Sequence, residues 1–208
     1  MSGSPRSPGY TLAVAERVAL ELVELLADSC VRVEIAGSIR RRRPTVYDID
    51  VVAVPRVVTM RDMFGDLTST GVDVLGATLD ELCGAQTIVQ WRGKNQQTCW
   101  GPRLKRGAYR GIDVQIQSYE PDNFGLALLI RTGPSAYSHV FVTPRSETAV
   151  LRDRDGVVVG KRPGLLPPGF SIERGFRLYR AGAAIPTPEE RDVYDALSMR
   201  YLDPTARR

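Results

Sequence analysis

Apolar residues recur along the first part of the chain with two different periods, and each period predicts a kind of element. Residues 11–28 carry apolar side chains every three or four positions, which predicts a helix. Residues 31–35 alternate between apolar and charged side chains, which predicts a half-buried strand. Residues 47–54 are largely apolar apart from two aspartates, so we expect this strand to lie centrally in a sheet.

The middle of the chain mixes weaker helical and strand patterns. Residues 59–84 favour one or two short helices, and residues 107–117 favour another largely apolar strand. A Gly-Lys-Asn turn at 93–95 is predicted to join two short strands, 87–91 and 97–100.

Glycine and proline interrupt the C-terminal part more often. A helix is predicted at 121–130, and beyond Ser138 the frequent breaks predict short strands and loops. A last helix is expected at about 188–201, since acidic residues occupy its first turn. This change in the frequency of glycine and proline indicates an approximate domain boundary at 133–140.

The composition is that of a globular protein with a mildly basic surface. The 208 residues are 43% hydrophobic and 25% charged, and the net charge of +4 favours a polyanionic partner without requiring one. The three cysteines lack the spacing of a zinc site or a disulfide framework. The Ser/Pro/Gly-rich residues 1–9 are predicted to be a flexible lead without a signal peptide, and no run is long enough to span a membrane, so we expect a soluble, intracellular protein. A monomer is the default expectation.

Candidate chemistry centres on three aspartates. Asp48 and Asp50 lie two apart on a predicted strand, so their carboxylates face the same side, while Ile49 faces the core. Asp113 lies in another apolar strand and joins them if the two strands are neighbours. Grouped carboxylates repel one another, and two Mg²⁺ or Mn²⁺ ions would resolve that repulsion and support phosphoryl displacement.

A glycine-serine turn and a basic run precede these acids. Gly37 permits close approach of the backbone to an anion, and the amide and hydroxyl of Ser38 can donate to phosphate oxygens. Arg41 can neutralise charge on a leaving pyrophosphate. Each feature alone is weak evidence, because an Asp-x-Asp pair is common and four arginines usually form a solvated face. Their combination is hard to explain by structure alone.

With these residues the chain resembles the X family of DNA polymerases. The family pattern of Gly-Ser, a basic pair and Asp-x-Asp reads here as Gly37-Ser38-Ile39-Arg40-Arg41 followed by Asp48-Ile49-Asp50. Asp113 is similar to the third catalytic aspartate, residues 131–134 to the Thr-Gly-Ser motif, and residues 189–207 to the last helix and its tail.

The resemblance implies an α+β fold in two parts. A nucleotidyltransferase palm with a mixed β-sheet flanked by helices would occupy residues 10–135, and a small α/β thumb-like subdomain would occupy residues 136–208. The lyase and helix-hairpin-helix regions of longer members have no counterpart, which is similar to the very short viral members.

The resemblance also implies roles for individual residues. Asp48, Asp50 and Asp113 would be the catalytic and metal-binding residues. The nucleotide-binding residues would be Gly37, Ser38, Arg41, Arg131, Gly133, Tyr137 and Ser138. Gly133 would face the incoming sugar, and sequence leaves the Gly133–Pro134 bond open between cis and trans. DNA contacts are expected from Arg40, Arg42, Arg43, Lys94, Lys105, Arg106 and Arg110, although for any single one of these a solvated surface cation is the more common case.

The implied activity is templated transfer of a dNTP to the 3′-hydroxyl of a primer–template or gapped duplex DNA, as in gap filling during DNA repair. Arg131 and Ser138 replace residues of the family pattern, which keeps a template-independent nucleotidyltransferase open. Such an enzyme would tail DNA or RNA, or modify a protein or small molecule. A catalytically inert nucleic-acid-binding protein is the third alternative.

Overall fold

The structure is a computed structural model that describes residues 9–61, 67–93, 95–153, 156–173 and 175–207. Its helices are α1 (Leu12–Leu26), α2 (Gly37–Arg40), α3 (Val74–Gly84), α4 (Phe124–Thr132), α5 (Ser135–Val142) and α6 (Glu190–Ala196). Its strands are β1 (Tyr10–Thr11), β2 (Cys30–Ile35), β3 (Thr45–Val46), β4 (Asp48–Pro55), β5 (Val57–Arg61), β6 (Leu67–Asp73), β7 (Ile88–Gln90), β8 (Leu104–Tyr109), β9 (Ile112–Ser118), β10 (Thr148–Arg152), β11 (Val158–Pro163), β12 (Phe170–Glu173), β13 (Arg177–Arg180) and β14 (Ala183–Ile185). Within the described ranges, every helix is too short or too polar to cross a bilayer.

Two compact units divide the chain. Unit 1 comprises Met1–Ile35 and Pro44–Ser118, and unit 2 comprises Ala36–Arg43 and Tyr119–Arg208. These units do not coincide with the predicted ranges 10–135 and 136–208. Helix α4 packs against α5 and α6, so it belongs with the C-terminal elements. The short segment that carries α2 joins the same unit, although its flanking strands belong to unit 1.

Unit 1 is built on a five-stranded sheet in the order β2-β4-β9-β8-β7. Strands β4 and β9 pair in parallel, and the other neighbours pair antiparallel, so the sheet is mixed as predicted. The centre of β4, from Val51 to Val54, is buried because its side chains are apolar on both faces.

Helix α1 covers part of this sheet, and its sequence explains why. It buries Ala15, Val18, Ala19, Leu22 and Leu26, which recur at three- and four-residue spacing along one stripe. This stripe packs on β2 and β4, while α3 packs on β4 and β7. The predicted helix at 11–28 is therefore confirmed, and burial of its apolar stripe stabilises both elements.

Two predictions for unit 1 were wrong. Residues 59–84 contain one short helix, α3, which begins at Val74, but the preceding strands β5 and β6 pair antiparallel, and residues 62–66 lie outside the described part of the chain. Valine and threonine are frequent in these strands and favour extended backbone. The single strand expected at 107–117 is a hairpin of β8 and β9, which turns at Arg110 and Gly111 with φ of 48° and 79°. Two successive positive φ angles suit a tight hairpin turn.

Unit 2 packs its helices around α4, which is buried along most of its length. Gly125 permits a close approach, since a Cβ there would lie 2.2 Å from the backbone of Glu189. Strands β10–β11 and β12–β13–β14 form small antiparallel sheets, as expected from the frequent glycine and proline. Helix α5 was not predicted, and α6 ends at Ala196, before the predicted 201.

Candidate active site

The three aspartates lie on neighbouring strands of unit 1. In the parallel pairing of β4 with β9, Asp48 is directly opposite Asp113, and Asp50 is opposite Gln115. Directly opposed residues of a parallel pair point to the same face, so all three carboxylates share one face of the sheet. Ile49 and Val114, which point the other way, are buried at 0% and 1% exposure. The condition that the two strands be neighbours is therefore met.

The carboxylates differ in exposure along this face. Asp48 and Asp50 are half-buried, whereas Asp113 is exposed. Gln115 Nε2 donates to Asp48 Oδ2 at 3.1 Å, so it helps to fix the direction of that carboxylate. The position of Gln115 opposite Asp50 becomes visible only with the register.

Hard carboxylate oxygens are suitable ligands for Mg²⁺ or Mn²⁺, so the donor chemistry fits these ions. Within the described ranges, however, no three His, Cys, Asp or Glu side chains are already arranged as a ligand set. Register fixes which carboxylates share a face, whereas rotation about χ1 determines whether their oxygens converge. The register follows from backbone pairing, so the shared face of the three aspartates does not depend on these rotamers.

The Gly37-Ser38 turn lies in unit 2 at the start of α2. Gly37 is buried and has φ of 61°, a left-handed conformation that a residue with a side chain adopts only at a cost. The Ser38 carbonyl accepts from the Arg43 amide at 3.0 Å, which folds the basic run back on the turn. Among the described residues, none makes a hydrogen bond to the buried Oγ of Ser38. An unsatisfied buried hydroxyl costs about 1–3 kcal/mol, so this atom is a candidate to bind a ligand oxygen.

The two arginines that follow the turn are tied to the end of α4. Arg40 Nη1 donates to Thr132 Oγ1 at 2.9 Å, and Arg41 Nη1 donates to the Thr132 carbonyl. Arg40 also forms a forked pair with Glu190, at 3.0 Å to Oε1 and 2.9 Å to Oε2. Thr132 and Glu190 lie in the family-like motifs 131–134 and 189–207, but local sequence does not predict their contacts with Arg40. The predicted contact of Arg40 with DNA would have to compete with these partners.

Glu190 is the centre of a buried charge network. Arg207, whose side chain has 0% exposure, donates to Glu190 Oε1 at 2.7 Å, and the Tyr201 hydroxyl donates to Oε2 at 3.2 Å. Burial raises the pKa of Glu190, but the hydrogen bonds from Arg40 and Arg207 outweigh it and leave this pKa below its usual value. Through these hydrogen bonds to Glu190, the tail residues Tyr201 and Arg207 are held against α6.

The residues expected near the sugar and base are engaged inside unit 2. Arg131 Nε donates to the Tyr119 hydroxyl at 3.1 Å, and its guanidinium lies 5.1 Å from the ring centre of Phe176. Tyr137 and Tyr194 share a hydroxyl contact of 2.8 Å. Burial raises the pKa of Tyr137, and no nucleotide contact is needed to explain its position.

The Gly133–Pro134 segment has a defined geometry. No cis peptide bond occurs within the described residues, so the bond that sequence left open is trans. A Cβ on Gly133 would lie 2.8 Å from the Tyr137 ring and 3.0 Å from Ser138 Oγ, which itself donates to the Ile130 carbonyl at 2.7 Å. Gly133 therefore permits the close packing of α5 against the end of α4.

The predicted DNA-contacting cations fall into different surroundings. Arg42 and Arg43 are exposed, whereas Lys105 is only 9% exposed and donates to the Gly101 carbonyl at 3.3 Å. Arg110 Nε pairs with Glu21 at 2.8 Å. Arg106 lies over the Trp91 ring at 5.9 Å. The prediction for Lys94 lies outside the described residues.

No protein-family model matches the chain, and no curated protein matches its sequence.

Proposed function

We propose that this protein is a nucleotidyltransferase of the kind found in the X family of DNA polymerases, which transfers a dNTP to the 3′-hydroxyl of DNA. The single observation that carries the proposal is the register that places Asp48, Asp50 and Asp113 on one face of two parallel strands. If Asp48 and Asp50 were an ordinary pair of surface acids, there would be no reason for a third acid, Asp113, to lie beside them on the neighbouring strand. In the proposed enzyme these strands belong to a nucleotidyltransferase palm.

The Gly37-Ser38 turn supports the phosphate end of the proposal. Its left-handed glycine and its buried Ser38 hydroxyl, which has no hydrogen-bond partner within the described ranges, are both costly for folding alone. Hydrogen bonding from Ser38 to a β- or γ-phosphate oxygen would satisfy that hydroxyl. Arg41 is assigned the neutralisation of charge on the departing pyrophosphate.

The proposed reaction is an in-line displacement at the α-phosphorus of the dNTP. The primer 3′-oxygen forms a bond to that phosphorus, and the bond from the phosphorus to the bridging oxygen breaks, so pyrophosphate leaves with the electron pair. The Asp113 carboxylate accepts the proton of the 3′-hydroxyl or positions its acceptor. Asp48, Asp50 and Asp113 would hold Mg²⁺ or Mn²⁺, which when bound supplies charge stabilisation to the attacking and leaving oxygens.

Labelled-primer extension tests the proposal. The substrates are a one-nucleotide gapped duplex and the bare single strand, each with Mg²⁺ or Mn²⁺ and with single dNTPs or rNTPs. The test variant is Asp113→Asn, which removes a charge and keeps the side-chain shape. The matched control is Asp28→Asn, because Asp28 is an exposed aspartate of unit 1 outside the acidic face.

We expect incorporation of the complementary nucleotide at the gap by the wild type and the Asp28→Asn variant, and none by Asp113→Asn. Extension of the single strand regardless of template would instead assign the protein to template-independent transferases. If no preparation extends any DNA, RNA, protein or small-molecule acceptor, the alternative of an inert nucleic-acid-binding protein is favoured and the proposed function fails.

A further inference from the structure

The segment 91–106 combines aromatic and cationic side chains with no acidic residue. Its sequence contains Trp91 and Trp100 and the cations Arg92, Lys94, Arg103, Lys105 and Arg106. The proposed reaction assigns no role to either tryptophan. A cationic segment without acids favours a polyanionic partner, and exposed aromatic rings add a means of stacking on bases.

The two tryptophans have different surroundings. Trp100 Nε1 donates to Asp80 at 2.6 Å, and Lys105 Nζ lies 5.7 Å from its ring centre, so its position is explained by contacts within unit 1. Trp91 is 42% exposed, and Arg106 lies 5.9 Å from its ring centre. The packing of unit 1 therefore leaves a substantial part of the Trp91 indole in contact with solvent.

The backbone holds Trp91 in a defined place. The Trp91 amide donates to the Arg106 carbonyl at 3.0 Å, and the Arg106 amide donates to the Cys99 carbonyl at 2.7 Å. Arg92 pairs with Thr98 in an isolated bridge. We name Trp91, Arg92 and Arg106 the Trp91 patch. An exposed ring on an ordered backbone loses little conformational entropy when it binds, which suits a stacking surface.

We propose that the Trp91 patch binds single-stranded DNA, with an unpaired base stacked on Trp91 and phosphates contacted by Arg92 and Arg106. Every base has a π-face, so such stacking requires an unpaired strand and not a particular sequence. Arginine suits the phosphate contacts because its guanidinium forms forked hydrogen bonds. The choice of DNA rests on the proposed function, in which the acceptor is a DNA 3′ end.

Fluorescence anisotropy tests the inference on the full chain in EDTA and without dNTP, so that catalysis does not contribute. The probes are a labelled oligo-dT, the corresponding oligo-rU and a blunt-ended duplex of two annealed strands of the same length. The variants are Trp91→Ala and Trp91→Phe. Val31→Ala is the matched control, because Val31 is an exposed apolar residue of β2, at the opposite edge of the same sheet.

We expect Trp91→Ala to weaken oligo-dT binding roughly tenfold, which is typical for loss of one base–aromatic stack. Trp91→Phe should retain most of the affinity, and Val31→Ala all of it. Binding of the duplex should change by less than about twofold, since its bases are already stacked. Quenching of tryptophan fluorescence by oligo-dT should be much smaller in Trp91→Phe than in the wild type, although that variant still binds.

Wild-type affinity in Trp91→Ala would overturn the inference, and so would equal losses on single strand and duplex. Tighter, Trp91-dependent binding of oligo-rU would overturn the assignment to DNA. Thermal unfolding of both Trp91 variants should match that of the wild type. If Trp91→Ala does not fold, the quenching of tryptophan fluorescence in Trp91→Phe decides: quenching equal to that of the wild type would overturn the inference. Failure of the proposed function would instead show as lack of primer extension with this binding pattern intact.

Discussion

Units 1 and 2 use their ionisable side chains in opposite ways. In unit 1, Asp48, Asp50 and Asp113 project from regular strands onto one face, where their carboxylates are half-buried or exposed. In unit 2, Glu190 and Arg207 are almost completely buried, and each is the other's hydrogen-bond partner. A charged residue at a candidate site can therefore serve either chemistry or folding, and its surroundings distinguish the two roles.

The two arrangements therefore predict separate consequences of mutation. Loss of a carboxylate in unit 1 should remove activity and leave the fold intact. Loss of a carboxylate in the unit 2 network should remove stability, because buried partners remain charged. Variants that exchange these outcomes would contradict the difference between the two units.

The largest expected effect is on activity in unit 1. Asp48→Asn should lower the rate of nucleotide incorporation by about 1000-fold or more, because a ligand charge supplies several kcal/mol of transition-state stabilisation and each 1.4 kcal/mol is about tenfold. The free energy of unfolding should change by less than about 1 kcal/mol, since one charge is removed from a group of like charges. Single-turnover extension and urea unfolding measure the two quantities, and a large loss of stability would contradict the assignment.

The next largest effect is on stability in unit 2. Glu190→Gln should lower the free energy of unfolding by about 3–5 kcal/mol, because it leaves the buried Arg207 without its charged partner. Glu120→Gln is the control within the same unit. Its ion pair with Arg177 involves a carboxylate that is 59% exposed, so its loss should cost less than about 1 kcal/mol. Equal losses of unfolding free energy in the two variants would show that the buried Glu190 network stabilises unit 2 no more than an exposed ion pair does.

Sequence patterns predicted the acidic face of unit 1 better than the Glu190 network of unit 2, and the reason is the range of the interactions. The positions of Asp48 and Asp50 follow from the two-residue period of a strand, so local sequence was sufficient to place both carboxylates on one face. The adjacency with Asp113 was stated as a condition and is confirmed by the register. In contrast, Arg40 pairs with Glu190 across 150 residues, and no local period carries that information.

The errors in secondary structure have local causes. Residues 59–73 contain apolar residues at spacings that suit a helix, but the β-branched valines and threonines of β5 and β6 favour extended backbone. The turn at Arg110-Gly111 lacks the asparagine or aspartate that most often marks a hairpin, so it was read as continuous strand. Helix α5 begins immediately after Pro134, where the pattern was interpreted as an ending.

Acid should selectively weaken unit 2 through Glu190. Its folded pKa lies below the ordinary value of 4.5, so its contribution to stability is present above that value and is lost as pH falls through the folded pKa. Urea unfolding from about pH 7 down to about pH 3 should therefore show a fall in the free energy of unfolding below about pH 4.5 that Glu190→Gln lacks. A wild type and a Glu190→Gln variant with parallel pH profiles would contradict this role.

Two left-handed glycines provide a smaller and matched test. Gly37→Ala in unit 2 and Gly111→Ala in unit 1 should each lower the free energy of unfolding by about 1–2 kcal/mol, because φ is 61° and 79° respectively. Only Gly37→Ala should also raise the KM for the dNTP, since Gly37 belongs to the proposed phosphate-binding turn. Steady-state kinetics on gapped DNA would contradict this assignment if the two variants lost activity equally.

The smallest expected change in stability is at Ser38, where the two units again differ. Ser38→Ala should leave the free energy of unfolding unchanged or up to about 1 kcal/mol higher, because the buried hydroxyl has no hydrogen-bond partner among the described residues. Ser29→Ala in unit 1 should lower it by about 1 kcal/mol, because the Ser29 hydroxyl lies 2.8 Å from the Thr78 hydroxyl. Ser38→Ala should nevertheless raise the KM for the dNTP about tenfold, which corresponds to one hydrogen bond to a charged phosphate oxygen. A destabilised Ser38→Ala with unchanged KM would mean that this hydroxyl serves the fold. Ser38 would then be equivalent to Ser29, and the expected difference between these two serines would be wrong.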